Sequence, residues 1–182
     1  TARVLARPEQ KVYMPEMSAD CPMARMADVE RAQRAWDRIE AVVPEWLPVV
    51  YVNSTADVKA FCGSKGGSAC TSSNARKIFE WVFSQGKRIF FLPDEHLGAN
   101  TAKDLGIDPD QIRVYDWRRE NGGLSDQEIA SAKVILWKGF CLVHTAFTAD
   151  QIRSVRETLP GAKIIVHPEV PEPVASLADA KG

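Results

Sequence analysis

Four cysteines, three histidines and a few acidic residues decide what chemistry this sequence can do. Cys21, Cys62, Cys70 and Cys141 form no CxxC pair and no zinc-ribbon spacing. The N-terminus, Thr1-Ala-Arg-Val4, carries no signal-peptide h-region. In that setting the cysteines read as thiols or metal ligands rather than as a disulfide framework, with a small buried hydrophobe as the plain alternative for each. His96 lies in the turn-like string Pro93-Asp-Glu-His-Leu-Gly98 and reads as a solvated or loop-bracing residue. His144 follows Cys141 closely, and His167 and Glu169 flank Pro168. A carboxylate such as Glu169 can take a proton as a general base or bind a metal. Asp94 and Glu95 are adjacent, which does not bring two carboxylates to one reacting atom. No GxGxxG or Walker loop is present, so a nucleotide cofactor would lack its phosphate cradle.

These residues need elements to position them, and the apolar pattern supplies a set. The short runs at 11–14, 49–52, 88–92, 134–137 and 163–166 are rich in β-formers, as in strands of a parallel sheet buried on both faces. Met26, Val29, Trp36, Ile39 and Val43 keep helical spacing over residues 25 to 43. Ser125-Asp-Gln-Glu128 and Thr148-Ala-Asp-Gln151 read as capping boxes. After the second, Ile152, Val155 and Leu159 form a stripe that Pro160-Gly161 ends. Another helix starts at Ser72 or Ser73 and carries Ile78, Trp81 and Val82. The segment from Gly106 to Gly123 reads as an excursion with a short extra strand over 114–117. Alternating strands and helices predict an α/β fold in three layers.

The residues just past each strand are the informative feature. Tyr13 leads to Cys21, Tyr51 to Asn53 and Ser54, Leu92 to Asp94 and His96, Trp137 to Cys141 and His144, and Val166 to His167 and Glu169. Ligands of open α/β sheets bind at the carboxyl ends of the strands, so an active-site rim is expected there.

Composition excludes several classes. Lys and Arg total 23 against 24 Asp and Glu, leaving a net charge of −1 and no basic field for nucleic acid. No run approaches the ~18 apolar residues of a membrane span. The 182 residues suggest one or two domains, and five Trp with seven Phe argue against disorder.

Six strings occur in one order: Asp20-Cys-Pro-Met-Ala24, Tyr51-Val-Asn-Ser-Thr-Ala-Asp-Val-Lys-Ala60, Cys70-Thr-Ser-Ser-Asn-Ala75, Phe91-Leu-Pro-Asp94 with Leu97-Gly98, Trp137-Lys-Gly-Phe-Cys-Leu-Val-His144 and Val166-His-Pro-Glu169. Together they resemble quinolinate synthase, the iron–sulfur enzyme of NAD biosynthesis, in a variant like that of plants and cyanobacteria. The resemblance implies three similar α/β/α domains around a pseudo-threefold axis. Residues 1–21 would end the first domain, 22–141 form the second and 142–182 begin the third. It implies a [4Fe–4S] cluster acting as a Lewis acid in the condensation of iminoaspartate with dihydroxyacetone phosphate. Cys21 and Cys141 match two of its cysteine ligands; a third has no counterpart in this sequence. Tyr51, Asn53, Ser72, His167 and Glu169 match substrate-binding residues, and Glu169, His144 and His167 would be catalytic. Ser72 at a helix start would bind a carboxylate with the help of free N–H groups. The resemblance also implies a functional link to an aspartate-oxidising enzyme and a cytoplasmic location, or a plastid in a plant. A catalytically silent relative that binds a small ligand or serves assembly is the alternative. A thiol-redox or zinc protein using Cys21 and Cys141 is a third reading.

Overall fold

The computed structural model describes Met23 and residues 26–182. The expected strand at 11–14 and Cys21 lie outside the described residues. Helix α1 (Val29–Val42) is started by Asp28, whose carboxylate accepts the Arg31 amide at 2.8 Å. It is followed by β1 (Trp46–Tyr51), α2 (Ala56–Ser64), β2 (Ser68–Cys70), α3 (Ala75–Ser84) and β3 (Arg88–Leu92). Next come α4 (Glu95–Asp104), β4 (Ile112–Tyr115), α5 (Asp126–Ser131) and β5 (Val134–Trp137). These strands form one parallel sheet in the order β2-β1-β3-β5-β4.

Successive residues of the central strands point to opposite faces, and both faces are buried. Phe90 and Leu92 pack with Trp36 and Ile39 of α1, Phe61 of α2 and Ile129 of α5. Ile89 and Phe91 pack with Phe79 and Val82 of α3 and Leu97 of α4. The result is the expected three-layer α/β/α arrangement. Helix α4 lies close on the sheet because residue 98 has no side chain. A Cβ there would sit 2.4 Å from Leu136 Cδ2 and 2.7 Å from Phe91 Cδ1.

The remaining elements are short: α6 (Leu142–Thr145), α7 (Ala149–Thr158), β6 (Ile165–Val166), α8 (Glu172–Ala175) and β7 (Ala180–Lys181). Among the described residues β6 pairs with β7 only, so the run at 163–166 is not part of the five-stranded sheet, and Ile165 is exposed. A separate apolar cluster joins Ile152, Val170, Val174 and Ala175.

Both capping boxes form, at Ser125 and Thr148. Other details differ from expectation. Asn74 precedes α3, and Ser72 lies in the turn before it rather than at the helix start. The reason is local: Asn74 Oδ1 accepts the Thr71 amide at 2.7 Å, closing a turn ahead of the helix. The core face of α3 is Ala75, Phe79 and Val82, and Trp81 is exposed. In α7 only Ile152 is buried, because α8 and the loop before it cover one turn of the stripe; Val155 and Leu159 are exposed. The extra strand runs over 112–115, and Trp117 leaves it to stack on Trp137.

Adding a methyl group at residue 98 pits helix propensity against packing. Alanine would gain ~1 kcal/mol of propensity in a free helix, whereas overpacking costs ~1–3 kcal/mol. With both contacts under 3 Å against the sheet, Gly98→Ala should lower stability in urea unfolding. A stabilised variant would show that α4 does not need this close approach.

Candidate functional site

The carboxyl ends of β1, β3 and β5 meet near the reversal of strand order between β1 and β3, where α/β sheets form their binding crevice. Tyr51 is the last residue of β1 and is buried. Asp94 follows β3 and starts α4, accepting the Leu97 amide at 2.8 Å. Cys141 follows β5 and starts the short helix that carries His144. Two backbone features hold the β5 exit against the β3 exit. The Glu95 amide donates to the Gly139 carbonyl at 2.8 Å. A Cβ at residue 139 would lie 2.3 Å from the Pro93 carbonyl oxygen, so only glycine permits this approach.

His167 and Glu169 arrive from the far side, on the turn after β6. The His167 and His144 rings stack with centroids 4.5 Å apart and planes 12° from parallel. Glu169 is 1% exposed. One of its oxygens lies 3.5 Å from His144 Nε2, and the other, Oε1, lies 3.8 Å from His167 Nδ1 and has no hydrogen-bond partner among the described residues. The Tyr51 hydroxyl is within hydrogen-bonding reach of the Glu169 carboxyl group, and Asn53 Nδ2 donates to Tyr51 Oη at 3.0 Å. Because Asn53 occupies the phenol oxygen as donor, the Tyr51 proton is free to point to Glu169.

Donor atoms of Cys141, His144 and Glu169 all lie within 4.8 Å of one another. A thiol, an imidazole and a carboxyl group at that spacing can hold a metal. Burial pushes the Tyr51 hydroxyl far above its ordinary range, with Glu169 adding to the effect, so the group stays protonated as a donor. Burial also lowers His167, against the opposing pull of Glu169, which favours its neutral imidazole. Asp94 is raised to about 7 by burial, with the Leu97 amide pulling the other way and Glu169 adding to the rise. The amides of His96 and Cys141 also face Asp94, and its Oδ2 has no hydrogen-bond partner among the described residues.

Five of the residues singled out from sequence thus come together: Tyr51, Asn53, His144, His167 and Glu169, with Cys141 beside them. Ser72 is half-buried in the turn after β2 and touches none of them through a hydrogen bond among those described. His96 stands apart, its ring 6.4 Å from that of Phe140. Cys62 and Cys70 are buried structural thiols; burial pushes both up to about 12. Cys62 Sγ donates to the Pro48 carbonyl at 3.0 Å. Asp94 stands at a strand end noted from sequence, whereas Asn100, a buried neighbour of the site, was not apparent there. The available signal was an asparagine inside a helix, where it is a poor helix former and needs another reason to be there.

Fold and site define a parallel α/β protein whose strand ends gather thiol, imidazole and carboxyl groups around one potential metal position. A family model, quinolinate synthetase A protein, matches residues 1–182, and the chain belongs to that family. It is 45% identical over 184 residues to the quinolinate synthase of Corynebacterium glutamicum, covering 100% of this chain and 47% of that protein. Identity to the quinolinate synthase of Bacillus subtilis is 46% over 183 residues, covering 100% of this chain and 50% of the relative. For that of Geobacillus sp. it is 48% over 183 residues, with the same coverage. The chain therefore spans about half the length of the curated relatives it matches. Among the described residues, no helix is long and apolar enough to cross a membrane.

The thiol environments give a chemical test. With pKa values near 12, Cys62 and Cys70 expose ~10⁻⁴ of their population as reactive thiolate at pH 8, rising tenfold per pH unit. In metal-free native protein, iodoacetamide should label Cys141 well before these two, and denaturation should make all three react alike. Mass spectrometry of labelled peptides checks this. Native labelling of Cys62 or Cys70 at the unfolded rate would contradict their burial.

Proposed function

We propose that this chain is the central part of a quinolinate synthase of NAD biosynthesis, condensing iminoaspartate with dihydroxyacetone phosphate to quinolinate. The observation that carries the reading is the meeting of Cys141, His144 and Glu169 donor atoms, with Glu169 Oε1 buried and unpartnered among the described residues, in a chain of this family. On this reading residues 22–141 form the middle of three domains and 142–182 begin the next. The five-stranded sheet ending at Trp137 and the separate apolar cluster around Ile152 support that division. An aspartate-oxidising enzyme supplies the imine, and no nucleic acid is involved.

The donor set fits an iron–sulfur cluster: a half-buried cysteine for iron, with an unpartnered carboxyl oxygen and an imidazole facing the same space. Cys141 would hold the cluster together with Cys21 and a cysteine from outside this sequence. When bound, the cluster supplies a Lewis acid to substrate oxygen or nitrogen through an iron without a protein ligand. The remaining work falls to the residues of this chain. Tyr51, kept protonated, donates its one proton to Glu169, and can turn it to a substrate oxygen placed beside it. Asn53 fixes the rotation of that hydroxyl. His144 and His167 form one wall, and the neutral His167 can accept or donate a hydrogen bond. Glu169 Oε1 takes the proton lost from substrate during condensation and dehydration, as a general base. Ser72 binds a substrate carboxylate from its turn rather than from a helix cap.

A general base contributes ~10²–10⁴-fold to rate. In a full-length quinolinate synthase containing this sequence, Glu169→Gln should lower quinolinate formation by that order while retaining iron. Cys141→Ser should lose iron and activity together. An active Glu169→Gln enzyme, or full iron in Cys141→Ser, would overturn these assignments.

A further inference from the structure

Glu169 sits on an irregular turn, yet its backbone is held on both sides by one side chain from another element. Asn100, in the second turn of α4, is 1% exposed. Its Nδ2 donates to the carbonyl of Pro168 at 2.8 Å and to that of Val170 at 2.9 Å, the residues on either side of Glu169. Both partners are acceptors, so the amide nitrogen alone can face them and the orientation is fixed. Its Oδ1 is buried without a partner among the described residues. An asparagine in this place therefore loses helix propensity and leaves one polar atom unsatisfied, and what it gains is two bonds to the turn at 168–170.

The same helix face carries the next contacts. Lys103 pairs with Glu172 and donates to Ser176 Oγ at 3.1 Å, and Asp104 pairs with Lys181. Those ion pairs are exposed and contribute little. Asn100 is the buried member of the set and the one that touches the residues beside Glu169. On its other side α4 is pressed on the sheet at Gly98 and begins at Asp94, in the strand exit facing Cys141. Helix α4 thus links the Cys141 side of the site to the Glu169 side through rigid backbone.

We infer that Asn100 is a positioning residue that sets where the Glu169 carboxyl group stands relative to Cys141 and the two histidines. The inference rests on the assignment of Glu169 as a working residue of the site. Removing the amide leaves two buried carbonyls without donors and frees the turn to rotate Glu169 away, and misplacement by about 1 Å can cost ~100-fold in rate.

The test is a double-mutant cycle in a full-length, anaerobically loaded quinolinate synthase containing this sequence, combined with hydrogen exchange on the same proteins. Asn100→Ala should lower kcat by roughly 10- to 100-fold with iron content retained and KM for dihydroxyacetone phosphate little changed. On a Glu169→Gln background it should add less than about twofold, because residues acting as one unit are not additive. Amides of the peptide spanning 166–171 should exchange faster, while α4 keeps its protection. Asn100→Ser, which retains a single donor, should fall between parent and alanine and serves if the alanine variant does not fold. Lys103→Ala should change neither rate nor exchange at 166–171. Fully additive losses, or unchanged exchange at 166–171, would overturn the inference. If Glu169→Gln itself were fully active, the assignment of Glu169 would fail instead, and the exchange data alone would still judge the clamp.

Discussion

A carboxyl group withdrawn from water must find partners for its oxygens or stay costly, and the Glu169 side chain is withdrawn almost completely. Much of the site is arranged around that constraint. One oxygen is met by His144, and the Tyr51 hydroxyl lies in reach, itself oriented by Asn53. The other oxygen, 3.8 Å from His167, has no hydrogen bond among the described residues. An unsatisfied buried atom is unfavourable in a resting protein and useful in a binding site, since a ligand or a proton completes it. The stacked histidines present two nitrogen-bearing rings to the same space, and burial keeps His167 toward its neutral form.

Precision on the other side of the site comes from backbone rather than side chains. The parallel sheet delivers Tyr51, Asp94 and Cys141 to one edge, because its strands all end in the same direction. Gly139 lets the β5 exit approach the Pro93 carbonyl, and the Glu95 amide fastens it there. Gly98 seats α4 on Phe91 and Leu136. These are two places where the absence of a Cβ fixes geometry near the site. Through Asn100, the seated helix then governs the turn that carries Glu169.

Much of this was legible from sequence, for physical reasons. The central strands at 88–92 and 134–137 are continuous apolar runs because both faces are buried, and capping boxes announce α5 and α7 directly. Ordered motifs at strand ends pointed to Tyr51, Asn53, Cys141, His144, His167 and Glu169. What escaped was of two kinds. Strand β2 is a three-residue edge strand in a Gly- and Ser-rich stretch, and α4 holds Gly98, Asn100 and Thr101, so neither shows a clean period. The second kind depends on distant contact: Asn100 and the carbonyls it binds are 68 and 70 residues apart, and no local pattern records such a pairing. Ser72 was misplaced because the Asn74 side chain closes an earlier turn than the serine run suggests.

The central claim is that Cys141, His144 and Glu169 face one metal position, fixed by the β5 exit on one side and the Asn100-held turn on the other. Anomalous diffraction at the iron edge from the full-length, anaerobically loaded protein tests it most directly. The account predicts an iron peak bonded to Cys141 Sγ, with the Glu169 carboxyl group and the histidine pair facing it and the Asn100 bonds intact. Iron bound at Cys62 or Cys70, or a Glu169 side chain turned away from the metal, would contradict it.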